Sequence, residues 1–146
     1  MARALLDINV LIALLDQGHL LHRAATRWLE REQEQGWATC PITENGVVRI
    51  MAQPSYPNAQ PAALVAARLS EACRHPSHAF WPEPISLLQE GLILWERLLG
   101  PRQITDAYLL ALAATHGGRF ATFDQRVGVE VVPAASRANL CLIPSD

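Results

Sequence analysis

Apolar residues fall in short unbroken runs near both ends of the chain and at helical spacing between them. "RALL" at 3–6 reads as a short buried strand, and "NVLIALLD" at 9–16 as a helical turn or two. In "HLLHRAATRWLEREQEQG" (19–36), Leu21, Ala25, Trp28 and Leu29 share one face with charges opposite, which predicts an amphipathic helix stopped by Gly36. "WATC" (37–40) is strand-like and ends at Pro41. "TENGVVRIMAQ" (43–53) reads as helical despite Gly46, "PSYPNAQP" (54–61) as a loop, and "AALVAARLSEACRH" (62–75) as helical by pattern and propensity. "HAFWPE" is a short strand, and "SLLQEGLILWERLLG" (86–100) a helix broken at Gly100-Pro101. "QITDAYLLALAATHGG" (103–118) is a helix stopped by two glycines, followed by the late strands "RFATF", "VEVV" and "LCLI". Strands that alternate with helices imply an α/β fold with a parallel sheet between helical layers. No repeat, low-complexity tract or linker interrupts 1–146, so a single domain is expected.

Composition narrows this picture without changing it. Half of the residues are hydrophobic, which excludes a disordered chain. The net charge of −2 carries no global signal for nucleic acid or membrane. All twelve basic residues are arginine; a GC-rich coding sequence accounts for that, although arginine also suits bidentate contacts to phosphate. The three cysteines, Cys40, Cys73 and Cys141, form no CxxC pair, as expected of a reduced, cytoplasmic protein. Asp7 and Asn9 interrupt the N-terminal apolar run, and Val10–Leu15 alone is too short for a secretory signal. Nothing approaches the ~20 apolar residues of a membrane span.

The aspartates raise the functional question. There are five: Asp7, Asp16, Asp106, Asp124 and Asp146. Asp7 follows the first strand amid apolar residues, Asp124 follows "RFATF", Asp106 falls in the first turn of a helix, and Glu44 comes soon after "WATC". Ligands of open parallel sheets bind outside the carboxyl ends of the strands, so these four acids are placed to converge. Each also has a plainer reading. Asp106 suits a helix dipole, Asp124 a turn, and Glu44 the first turn of a helix capped by Thr43; Asp7 is the hardest to explain that way. Two like charges ~4 Å apart repel by about 4 kcal/mol at an effective dielectric of 20. A carboxylate cluster therefore calls for protonation or a cation, and all-oxygen ligands favour Mg²⁺ or Mn²⁺.

Four segments, "LLDINVLIALL" (5–15), "TENGVVRI" (43–50), "TDAYLLALA" (105–113) and "ATFDQR" (121–126), resemble PIN-domain ribonucleases, in particular the VapC-type toxins of bacterial toxin–antitoxin pairs. They occur in the family's order and separations over nearly the whole chain. One departure is Ile8, where the family commonly has a small or hydroxyl residue. The resemblance implies a PIN-like three-layer α/β/α sandwich with a mainly parallel central sheet. It implies metal ligation by Asp7 and Asp106, completed by Glu44 and Asp124, with Asn9 and Thr122 orienting ligands or the scissile phosphate. It implies a metal-dependent endoribonuclease using Mg²⁺ (or Mn²⁺) and leaving a 5′-phosphate and a 3′-hydroxyl. It also implies a cognate VapB-like antitoxin, whose C-terminal segment would wrap the toxin and place a basic residue in the acidic pocket.

Arg27, Arg31, Arg49, Arg102 and Arg126 are candidates to attract the RNA backbone, each with a plain surface role as its alternative. His75 and His78 read as loop residues, and His19 and His22 as surface or capping residues. Trp28 and Trp95 read as core or interface, Trp81 as packing. The apolar excess of 87–99 predicts a buried element or a homodimer contact, alone or within a larger toxin–antitoxin complex. Haloacid-dehalogenase-type phosphatases and response-regulator receivers need a lysine, and the phosphatases a second acid where Asn9 stands; neither is present. The remaining competitor is a catalytically inactive PIN-like binding module that docks a partner through its acidic pocket.

Overall fold

The computed structural model describes residues 2–145. Five strands, β1 (Ala4–Leu6), β2 (Trp37–Thr39), β3 (His78–Phe80), β4 (Arg119–Thr122) and β5 (Leu140–Leu142), form one sheet in the order β3-β2-β1-β4-β5. Every pairing is parallel. The five helices are α1 (Ile8–Leu15), α2 (His22–Glu32), α3 (Pro41–Met51), α4 (Ala62–Ala72) and α5 (Ile104–Thr115).

The strands are apolar on both sides because helices cover both faces. Side chains alternate across a strand, and the two cores follow that alternation. Leu5, Ala38 and Phe120 point toward α5 and the irregular segments around Ile93 and Val132. Their neighbours Ala4, Leu6, Trp37 and Ala121 point the other way, onto residues of α1, α2, α3 and α4 such as Val10, Trp28, Val47 and Leu69. The result is the expected three-layer α/β/α sandwich, with a sheet that is wholly parallel.

Three expectations need correction. Residues 86–100 are not a helix: the segment is irregular, with one 3₁₀ turn at Trp95–Arg97. A helix apolar on every side would need enclosure on every side, and only one layer is available here. Gly91 takes a φ of 80°, and the Leu94 N–H donates to the Val131 carbonyl at 2.8 Å. The irregular path sorts its side chains, with Leu92 and Ile93 buried and Leu88, Trp95 and Leu99 exposed. "VEVV" is likewise a 3₁₀ turn, Val129–Val131, rather than a strand. Thr43 is not the cap of α3. Cys40 holds that position and Pro41 is the first helical residue, with the Thr43 hydroxyl accepting from the Cys40 N–H at 2.9 Å.

Candidate active site

β1 ends at Leu6, and the next residue turns directly into α1. Asp7 caps that helix, its carboxylate accepting the Ile8 N–H at 2.7 Å. Apolar neighbours leave Asp7 only 6% exposed. Its second oxygen accepts from the Thr122 hydroxyl at 2.6 Å, across the adjacent strand β4. Burial pushes the Asp7 carboxyl above the ordinary range; the hydrogen bonds from Thr122 and Ile8 oppose this, and the Asp124 charge adds to it.

β1 and β4 are neighbours from distant parts of the chain, paired from Ala4 with Arg119 to Leu6 with Ala121. From β1 the chain proceeds outward through β2 and β3 on one side, and only later returns to lay β4 on the other. Such a switch point opens a crevice at the strands' carboxyl ends, and Asp7, Thr122 and Asp124 all lie there. The Thr122 hydroxyl also accepts the Asp124 N–H at 3.0 Å, so one buried side chain sets both acids.

Asp106, the third residue of α5, reaches the same crevice. Its carboxyl is pushed up to about 7, first by burial and then by the charges of Asp7 and Asp124, with Arg126 acting in the opposite direction. Asp124 is held low because Arg126 grips both its oxygens, with Nε 3.0 Å from Oδ1 and Nη2 3.1 Å from Oδ2. Asn9 is exposed in the first turn of α1.

Glu44 is not brought into this group. The carboxylate accepts from the Thr39 hydroxyl at 2.7 Å, and Thr39 in turn lies 2.8 Å from His78 Nε2. Glu44 lines a separate cleft with Val48, Leu69 and Cys73, between α3 and α4. His78 is therefore a strand residue tied to Thr39, not a loop residue. Asp16 also stands apart at the far end of α1, accepting from Tyr56, Asn58 and the Gly18 N–H.

The PIN domain family matches residues 4–130. The chain belongs to the PIN domain family. It is 46% identical to ribonuclease VapC44 of Mycobacterium tuberculosis, over 97% of this chain and 99% of that one. It is 42% identical to ribonuclease VapC39 of the same species, over 83% and 88% of the two chains. The crystal structure of M. tuberculosis VapC20, described as a sarcin–ricin loop cleaving toxin, shares the fold with a TM-score of 0.56 at 16% identity, over 82% of this chain and 87% of that one.

In this PIN domain the crevice acids suit a hard divalent cation. Asp7 and Asp106 are raised first by burial and then by neighbouring negative charge, and a cation would offset both. The acids do not form a ready-made cage: among the described residues, no three His, Cys, Asp or Glu side chains are grouped to hold a metal by themselves. That is compatible with Mg²⁺, which keeps several waters and takes only one or two carboxylates directly.

The sequence reading missed Thr39 as the partner that draws Glu44 away. The available signal was a threonine inside a short apolar strand, whose buried hydroxyl must find a partner.

Proposed function

We propose that this chain is an Mg²⁺- or Mn²⁺-dependent endoribonuclease, the toxin of a toxin–antitoxin pair. The observation that supports it best is the meeting of Asp7, Asp106 and Asp124 at the open end of the β1–β4 crevice. The named ribonuclease activity of VapC44 and VapC39 agrees with it.

Asp7 and Asp106 would hold the cation, with Asp124 joining directly or through water. Such a cation supplies Lewis acidity and a lowered water pKa when bound. Thr122 fixes the Asp7 carboxylate, and the Val10 and Leu11 N–H groups donate to the Asp7 carbonyl and anchor its backbone. Arg102 and Arg126 line one cleft with Asp124 and are placed to take the phosphates of a strand lying across the acids. Asn9 would orient substrate from the rim. Glu44 is bonded to Thr39 and lines the neighbouring cleft, so it is not counted among the ligands proposed here.

The substrate is RNA, the partner a VapB-like antitoxin and the compartment the cytoplasm. No helix among the described residues is long and apolar enough to cross a membrane. Leu88, Trp95 and Leu99, exposed on 86–100, support a homodimer or a larger toxin–antitoxin complex.

The test is cleavage of total RNA and of transfer RNA by purified protein, with Mg²⁺ or Mn²⁺ against EDTA. Cleavage that needs the metal and disappears in Asp7→Asn is the expected result. Wild-type rates in an Asp7→Ala, Asp106→Ala double variant would overturn the site.

A further inference from the structure

A second cleft, about 360 Å³, opens on the other flank of the acids, lined by Ile8, Pro41, Ile42, Asn45, Arg49 and Thr105. Two of its walls are the immediate chain neighbours of carboxylates, Ile8 after Asp7 and Thr105 before Asp106. We propose that this cleft is a nucleobase subsite, in which Asn45 reads one base beside the scissile phosphate and Arg49 holds the adjoining phosphate. The assignment rests on the ribonuclease reading above.

The chemistry of the lining matches a base and not a bare phosphate. Ile8, Pro41 and Ile42 supply apolar walls against which a flat ring can lie. The one amide, Asn45, offers both a donor and an acceptor, the pairing by which asparagine recognises a base edge. Arg49 stands one helical turn further along α3 and shares the cleft, so an amide for the base and a guanidinium for its phosphate face the same opening. Asn45, Arg49 and Thr105 are all exposed, and among the described residues none has its side chain tied up in a hydrogen bond to the protein.

The apolar wall has a traceable origin. Gly46 sits inside α3, where a Cβ would come within 2.9 Å of Ile8 Cγ1 and closer still to Cδ1. Lacking one, it lets Ile8 lie over the helix and form the side of the cleft. The departure from the family pattern at Ile8 and the helix-interior glycine are thus one feature. Beyond the acids lies the cleft of Arg102 and Arg126, about 300 Å³. Both arginine-bearing clefts adjoin the carboxylates, this one through Ile8 and Thr105 and the other through Asp124 itself, so a strand that spans both would meet two guanidinium groups. A base can enter such a cleft only when turned out of its stack.

The experiment maps cut sites in a randomised single-stranded oligoribonucleotide pool for wild type, Asn45→Ala and Asn45→Asp, with Mn²⁺ affinity measured in parallel. The expected result is a base preference at one position beside the cut that weakens about tenfold in Asn45→Ala. That preference changes identity in Asn45→Asp, while Mn²⁺ affinity is unchanged. Wild-type preference at every position in Asn45→Ala would overturn the subsite and leave the ribonuclease reading intact. Should wild-type protein cut no RNA, the ribonuclease reading fails and binding decides the subsite. Affinities for the four homopolymeric oligoribonucleotides that differ in wild type and converge in Asn45→Ala would sustain it. Identical affinities in both proteins would overturn it.

Discussion

The Thr122 hydroxyl acts in both directions, donating to Asp7 and accepting from the Asp124 backbone, while Arg126 closes over Asp124 from outside. The guanidinium is therefore in competition with any cation that approaches Asp124. Arg126→Ala should tighten Mn²⁺ binding by roughly two- to five-fold, the range of an exposed ion pair. It should also lower RNA affinity and reduce its salt slope by about one phosphate contact. Titration of Mn²⁺ by electron paramagnetic resonance checks the first, and anisotropy over a salt series the second. The raised carboxyls give a pH dependence of their own. Asp106, at about 7, and Asp7 both hold protons more tightly folded than unfolded. Their contribution to stability is full below the ordinary aspartate value and is lost as pH rises through the raised value of each, about 7 for Asp106. Asp124 and Asp16, held low by Arg126 and Tyr56, run the opposite way and lose their contribution as pH falls. A bound cation removes the repulsion of the ionised pair, so the Mn²⁺-induced rise in Tm should be larger at pH 8 than at pH 5. A rise independent of pH would count against shared ligation by Asp7 and Asp106.

At the scale of elements, the Ile8–Gly46 contact sets how closely α1 and α3 approach. Gly46→Ala gains helix propensity but overpacks this contact, and a net loss of about 1–3 kcal/mol is expected from chemical denaturation. Adding Ile8→Ala should recover most of it; additive losses in the double variant would show that the two residues do not share the space. The helices with a clear apolar stripe were legible in the sequence, as α2 and α5 show, and Gly117 follows the end of α5 as expected, whereas α2 ends at Glu32 and passes through a 3₁₀ turn, Gln33–Gln35, before Gly36. So were β1 and β4, whose apolar runs end in a carboxylate or lead to one. Residues 86–100 were not legible, because hydrophobicity alone does not distinguish a buried helix from an irregular segment that inserts Leu92 and Ile93 and leaves Leu88 outside. Among the site residues, Asp7, Asp106, Asp124 and Thr122 lie together at the carboxyl ends of β1 and β4. Glu44 is bonded instead to the Thr39 hydroxyl five residues earlier, a pairing that the acid's position in its helix does not announce and that only the buried threonine of β2 hints at.

At the scale of the molecule, one sheet carries a core on each face, and both cores draw on β1. Coupling of that kind should make 1–146 unfold as a single unit. Calorimetric and van't Hoff enthalpies that agree would be the expected result, and two resolved transitions would divide the chain. The strand order has a further consequence, during synthesis. β1 is made long before one of its two neighbours, β4, which follows residue 118. Until then its second edge has no partner, and Asp7 has neither Thr122 nor Asp124 beside it. A nascent or prematurely terminated chain therefore holds isolated acids and no assembled crevice, so the cell making this protein meets its chemistry only once translation has passed Asp124.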